Sequence, residues 1–138
     1  MRVREVMTRA VECIGPDATL QEAAAKMKSL DVGPLPVCDN DRLVGMVTDR
    51  DITVRATAGC CDPGGTHVQD VMTADLVTVS PDDDSEEALE RMSVEQVRRL
   101  PVVEGDRLVG LVAMGKLAQK VGPSREVGEA EHAITRGA

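Results

Sequence analysis

Phenylalanine, tyrosine and tryptophan are absent from all 138 residues. Without them no nucleobase can stack on an aromatic ring, which counts against a single-strand nucleic-acid binder. The core must then be built from Val, Leu, Ile, Ala and the seven Met. Positive charge is also scarce. Sixteen Lys and Arg face 24 Asp and Glu, and the formal charge of −8 argues against binding a phosphate backbone. No run of eighteen apolar residues occurs, and Met1-Arg2-Val3-Arg4-Glu5 does not show the pattern of a signal peptide. The expectation is a cytoplasmic protein with neither nucleic acid nor membrane among its partners.

CxxC spacing is missing too, so the four cysteines do not read as a zinc site. Cys13 and Cys38 each fall in a predicted strand of the first half, and those strands can be neighbours. A disulfide between them is one reading and buried thiols in a reducing compartment are the other. Cys60-Cys61 lies in a Gly/Pro linker and should be exposed. His67 and His132, one in that linker and one near the end, suggest neither a metal site nor a catalytic dyad. The acidic stretch Asp82 to Glu87 sits at a helix start, where acids suit the dipole, and a solvated face is favoured over a cation site.

What the chain does contain, it contains twice. Leu35-Pro36-Val37 through Arg42-Leu43-Val44-Gly45-Met46-Val47 returns as Leu100-Pro101-Val102 through Arg107-Leu108-Val109-Gly110-Leu111-Val112, at a constant offset of 65. The same offset relates Val6-Met7-Thr8 to Val71-Met72-Thr73, Pro16-Asp17 to Pro81-Asp82, Glu22-Ala23 to Glu87-Ala88, and Met27 to Met92. This is an internal duplication. Each copy alone would be marginally stable, so mutual packing is expected.

Each copy begins with a short lead-in. A strand follows at Val11 to Ile14, ended by Gly15-Pro16, and again at Leu76 to Val79. Asp17 or Thr19 can cap the next helix, with Glu22 completing a capping box. Ala23, Ala24, Met27 and Leu30 give that helix an apolar face, while Glu22, Lys26 and Lys28 point out. In the second copy Ser85 with its acidic neighbours starts the corresponding helix. Two apolar strands around Asp39-Asn40-Asp41, or Glu104-Gly105-Asp106, read as a β-hairpin. A second helix follows, to about Ala58 and from Met114 to Val121. Met7, Met27, Met72 and Met92 should be core packing. The expected boundaries are a first motif at 1–58, a linker at 59–67, a second motif at 68–121 and a tail at 122–138. Glu126 to Thr135 can form a further helix, but sparse apolar residues favour a loosely attached tail.

The fold class is therefore α+β, two β-α-β-β-α motifs related by a pseudo-twofold axis and packed sheet to sheet, with the first strand of each parallel to its neighbour.

Gly45-Met46-Val47-Thr48-Asp49-Arg50-Asp51 places a hydroxyl, a cation and two carboxylates where a strand gives way to a helix. Backbone N–H groups there favour an anion, the Thr48 hydroxyl adds a donor, and Asp51 can accept both hydroxyls of a ribose. Against this stands a simpler reading, in which Thr48 or Asp49 caps the helix and Asp51 is solvated. No nucleophile–base pair, metal set or paired catalytic carboxylates can be assembled, so the chain is not read as an enzyme.

The doubled order of Val-Met-Thr, Leu-Pro-Val, Leu-Val-Gly-x-Val and, once, Thr-x-x-Asp resembles a tandem pair of CBS domains, a Bateman module, over about Val3 to Val121. The resemblance implies clefts between the motifs that bind adenosine-containing ligands such as AMP, ADP, ATP, NAD or S-adenosylmethionine, without any required cofactor. It matches Thr48 and Asp51 to the family's motif, whose Asp holds the ribose hydroxyls, and it assigns the adenine pocket to backbone groups and apolar atoms of Val32, Gly33, Pro34 and Leu35. Arg50 and Thr73 join the candidate ligand residues. It further implies a homodimer, and a regulatory role exerted through a protein partner.

The second copy departs from the pattern, with Ala113 in the place of Thr48 and Lys116 in that of Asp51. A lysine cannot accept hydroxyl hydrogens. Lys116, Arg98 and Arg99 can attract a phosphate or can be plain surface cations. One competent nucleotide site is expected. The competing function is a structural, partner-binding dimer with vestigial clefts.

Overall fold

The structure, a computed structural model, describes residues 1–137, with side chains through residue 135. Two compact units divide the chain. One is Glu12–Leu76, and the other joins Met1–Val11 to Val77–Ala138. Each unit therefore contains the body of one copy and the lead-in of the other.

In the Glu12–Leu76 unit, helix α1 spans Leu20–Leu30, with Thr19 Oγ1 accepting the Glu22 N–H at 3.1 Å. Its inner face is Leu20, Ala23 and Met27, and it stops at Asp31, whose φ of 54° is left-handed. Leu30 is exposed instead of joining that face. Lys26 does not simply point out either. Its Nζ donates to the Cys13 carbonyl at 2.6 Å and pairs with Glu12 at 3.3 Å.

Strands β1 (Pro34–Asp39) and β2 (Arg42–Thr48) form an antiparallel hairpin, with Pro34 opposite Thr48 and a bulge between Val37 and Cys38. Asn40 makes the turn at φ 57°, a conformation its short polar side chain tolerates. The strand expected at Val11 to Ile14 shrinks to one parallel bridge, Ile14 to Val37, because Gly15-Pro16 turns the chain away at once. Helix α2 has three α-helical residues, Asp49–Asp51, and continues as a π-helical turn over Ile52–Thr57. Wider bonds such as Ala58 N–H to Thr53 O, 3.1 Å, replace the α-helical ladder there.

The core of this unit is Ile14, Leu20, Ala23, Met27, Leu35, Val37, Val47 and Ala56, completed by Val68 and Val71 from the second lead-in, with Met72 packed at its edge. Each fully buried aliphatic side chain contributes about 1.5–3 kcal/mol.

The other unit repeats the plan. Its elements are α3 (Ser85–Glu95), β3 (Arg99–Glu104), β4 (Arg107–Ala113) and α4 (Met114–Val121). Gly105 makes the turn at φ 65°, the bulge returns between Val102 and Val103, and Val79 makes the single parallel bridge. Asp84 rather than Ser85 caps α3. Its carboxylate accepts the Glu86 N–H at 2.9 Å, a bond that holds its pKa below the usual value. Val3, Val6 and Met7 of the first lead-in are buried in this core with Val79, Leu89, Met92, Leu100 and Leu117.

The expected loose tail is instead helix α5, Arg125–Gly137. Val127, Ala130 and Ile134 are buried in the same core. Three apolar residues at i, i+3 and i+7 give one narrow stripe, sufficient to seat a helix whose remaining surface is polar.

Two glycines explain why the lead-ins lie where they do. A Cβ on Gly45 would stand 2.6 Å from Met72 Sδ and 2.9 Å from Thr73 O, and one on Gly110 would stand 2.7 Å from Thr8 O. Only glycine lets the lead-in backbone bridge the strand there, Thr73 to Met46 and Thr8 to Leu111.

Candidate functional site

The turn from β2 into α2 gathers most of the residues singled out in the first copy. Thr48 caps the helix by accepting the Asp51 N–H on Oγ1 at 3.0 Å, and Asp51 Oδ2 returns the bond by accepting the Thr48 N–H at 3.0 Å. The capping reading of Thr48 is therefore observed. The solvated reading of Asp51 is not: its side chain is only 13% exposed, and Oδ1 faces Arg55 Nε at 3.8 Å.

The helix start does not offer a free amide cradle for an anion. Asp49 N–H donates to Gly33 O at 3.1 Å, Arg50 N–H to Asp49 Oδ1 at 3.0 Å, and Asp51 N–H to Thr48. An anion near this turn would have to be met by the Thr48 hydroxyl hydrogen or by a guanidinium. Arg50 lies exposed on α2.

Gly33 belongs to this site for a steric reason. A Cβ there would meet Asp49 Oδ1 at 3.0 Å, so the bare backbone lets the entry to β1 lie against the start of α2. Val32 is exposed beside it, and Pro34 is the direct neighbour of Thr48 across the hairpin. Leu35 is 1% exposed and part of the core, so only its backbone can face a ligand.

Arg55 was not singled out in the sequence. Its guanidinium donates to Val71 O at 3.0 Å and Met72 O at 3.3 Å while facing Asp51. It fastens the second lead-in, and with it Thr73, to the side of the turn that carries the carboxylate. No short motif signals such a contact, since it joins residues sixteen and seventeen positions apart.

The corresponding turn in the other unit is built differently. Met114 N–H donates to Arg98 O at 2.8 Å, matching the bond from Asp49 to Gly33, but Ala113 offers no side-chain cap. Lys116 is exposed on α4. Arg99 lines a hollow of about 480 Å³ together with Arg98, Ala113 and Met114, walled on the far side by Glu131 and Thr135 of α5. Lys116 is not part of that lining.

Cys13 and Cys38 lie side by side as thiols, with Cys38 Sγ donating to Cys13 Sγ at 3.4 Å. Burial, and then the hydrogen bond to Cys13, push the Cys38 thiol up to about 12. Cys60 and Cys61 are exposed. Among the described residues no three His, Cys, Asp or Glu side chains are grouped to hold a metal ion, and no helix is long and apolar enough to cross a membrane.

Comparison with known proteins follows the two copies. The CBS domain model matches residues 3–56 and again 68–122. The chain is 46% identical over 116 residues to the CBS domain-containing protein YhcV of Bacillus subtilis, covering 84% of this chain and 82% of that one. It is 37% identical over 134 residues to Hypoxic response protein 1 of Mycobacterium tuberculosis, covering 96% and 88%. A solved structure of Hypoxic Response Protein I, with two coordinated zinc ions, matches with a TM-score of 0.81 over 87% of this chain and 98% of that one. At 22% identity the fold is also that of the CBS domain pair of protein MJ0100, solved with 5′-methylthioadenosine and S-adenosylmethionine, with a TM-score of 0.76 over 88% of this chain and all of that one. With a CBS domain matched in each of its two copies, the chain belongs to the CBS-domain family.

Proposed function

We propose that this protein is a stand-alone CBS-pair regulatory module that binds an adenosine-containing ligand at the Thr48–Asp51 turn and carries no reaction of its own. The observation behind this reading is the Asp51 carboxylate, largely buried and held by the Thr48 amide, with Oδ1 turned toward Arg55. Such a group is ordered before a ligand arrives, which lowers the entropic cost of binding. Each of its oxygens has a second lone pair for a ribose hydroxyl. Val32 and Pro34 supply apolar atoms and Gly33 bare backbone against the start of α2, and Thr48 and Arg50 are within the same turn for a phosphate or carboxylate. The presence of two adenosyl compounds in the MJ0100 structure supports this ligand class.

The same reading makes the first copy the competent one. Ala113 and Lys116 remove both the hydroxyl and the carboxylate from the second. Binding would favour one conformation of the chain, which a protein partner or a second protomer in a cytoplasmic homodimer then reads.

A second reading is favoured by one observation: the reciprocal bonds between Thr48 and Asp51 account for both residues as a helix cap. On that reading the protein is an interaction module with a vestigial site. Isothermal titration with AMP, ADP, ATP, NAD and S-adenosylmethionine separates the two. Saturable binding of any one supports the regulatory module, and no heat from all five on folded protein supports the interaction module.

A further inference from the structure

We propose that Cys13 and Cys38 are a reversible dithiol–disulfide site, oxidised by a small-molecule disulfide, that staples the start of the Glu12–Leu76 unit to strand β1. The sulfurs stand 3.4 Å apart, about 1.3 Å more than a disulfide bond requires. The backbone already holds them together. Ile14 N–H donates to Pro36 O at 3.0 Å and Cys38 N–H to Ile14 O at 2.9 Å, so the segment carrying Cys13 is hydrogen-bonded along β1 on both sides of Val37. The bulge between Val37 and Cys38 shifts the register at the second cysteine, and such bulges re-aim the side chain that follows.

Packing does not demand two cysteines here. The duplicate places Thr78 and Val103 at the same two positions, with the same bulge and the same single parallel bridge, Val79 to Val102. Arg91 even repeats the Lys26 contact by donating to the Thr78 carbonyl. One copy thus shows how this corner is built without thiols, and the other adds a redox-active pair to it.

The chemistry is two exchange steps. Cys13, the more exposed thiol, loses its proton, and its thiolate attacks one sulfur of a disulfide such as oxidised glutathione, releasing one thiolate. Cys38 then gives its proton to solvent, and its sulfur attacks Cys13 Sγ, forming the Cys13–Cys38 bond and releasing the second thiolate. Two protein thiols are oxidised and one external disulfide is reduced to two thiols. Burial keeps Cys38 protonated at neutral pH, so the second step should accelerate as pH rises.

The test uses the full chain with Cys60→Ser and Cys61→Ser, both exposed positions. Folded protein is treated with excess oxidised glutathione, quenched in acid, alkylated and digested for mass spectrometry. The expected result is a linked Cys13–Cys38 peptide that dithiothreitol separates. A thermal midpoint about 5–10 °C above that of the reduced protein should accompany it, from closing a loop of this length. The further variant Cys13→Thr with Cys38→Val copies the residues of the second copy, should fold, and should show no such shift. The proposal is overturned if both cysteines are alkylated after the oxidant, or if Cys13 stops as a mixed disulfide with glutathione.

Discussion

Thr48 and Asp51 exchange two hydrogen bonds of 3.0 Å, each side chain taking the other's backbone N–H. Two donors that a helix start would otherwise leave to water are satisfied reciprocally, and the carboxylate is fixed in the process. Thr48→Ala and Asp51→Ala should each cost about 1 kcal/mol in urea unfolding. Because each mutation breaks the same arrangement, the double variant should lose less than the sum. Thr48→Ser, which keeps the acceptor, should be close to neutral.

A different kind of loss is expected at Gly45. An added methyl meets Thr73 O, a backbone atom that cannot swing aside, as well as Met72 Sδ. Gly45→Ala should destabilise by about 1–3 kcal/mol through overpacking. Gly128 in α5 has nothing within 4 Å of an added Cβ, so Gly128→Ala should stabilise by about 0.5–1 kcal/mol through helix propensity. Denaturation of the two variants side by side checks both signs.

Helix α5 is seated by Val127, Ala130 and Ile134. Ile134→Ala should cost about 2 kcal/mol or more, since it opens a cavity under the helix. A tail that merely hangs from α4 would give no measurable change in the urea midpoint.

Cys38 predicts a pH dependence at the alkaline end. Its folded pKa, about 12, lies above the ordinary 9.0 because burial disfavours the thiolate. Between those values the unfolded chain has lost a proton that the folded chain keeps. The contribution to stability is therefore complete below pH 9 and is lost as pH rises toward 12. Unfolding free energy under reducing conditions should decline over that range, and Cys38→Val, the residue at this position in the second copy, should remove that part of the decline.

Much of the fold was legible because its determinants are local. The hairpins are announced by apolar runs around Asn40 and Gly105, and α1 by Thr19 and the spacing of Ala23 and Met27. The exchanged lead-ins were not legible. The repeat places one Val-Met-Thr and one Leu-Val-Gly in each copy, but nothing in it says which meets which, because Thr8 fits Gly110 as Thr73 fits Gly45. The composition of Val11 to Ile14 suggests a longer strand than the single Ile14–Val37 bridge, because β-forming residues cannot extend a ladder that Gly15-Pro16 stops at once. The sparse apolar residues of α5 understate its attachment, since three of them suffice when a core is already in place.

At the site itself, Thr48 and Asp51 were visible as a spacing, and Gly33 and Pro34 as the entry to a hairpin. Arg55 was not, because its bonds run to Val71 and Met72, sixteen and seventeen positions along the chain, and no local spacing announces them. Nor was the loss of the amide cradle, which follows from the Asp49 carboxylate folding back on the Arg50 amide.

The central claim is tested most directly by titrating the wild-type chain and Asp51→Asn with AMP, ADP, ATP, NAD and S-adenosylmethionine under one buffer condition. Asparagine retains an oxygen for the Thr48 amide but gives up the charge that strengthens a bond to a ribose hydroxyl. One ligand of the five should bind the wild type at one per chain, and Asp51→Asn should weaken it by about tenfold or more with the fold intact. Equal affinity of the two proteins, or binding by neither, would contradict the account.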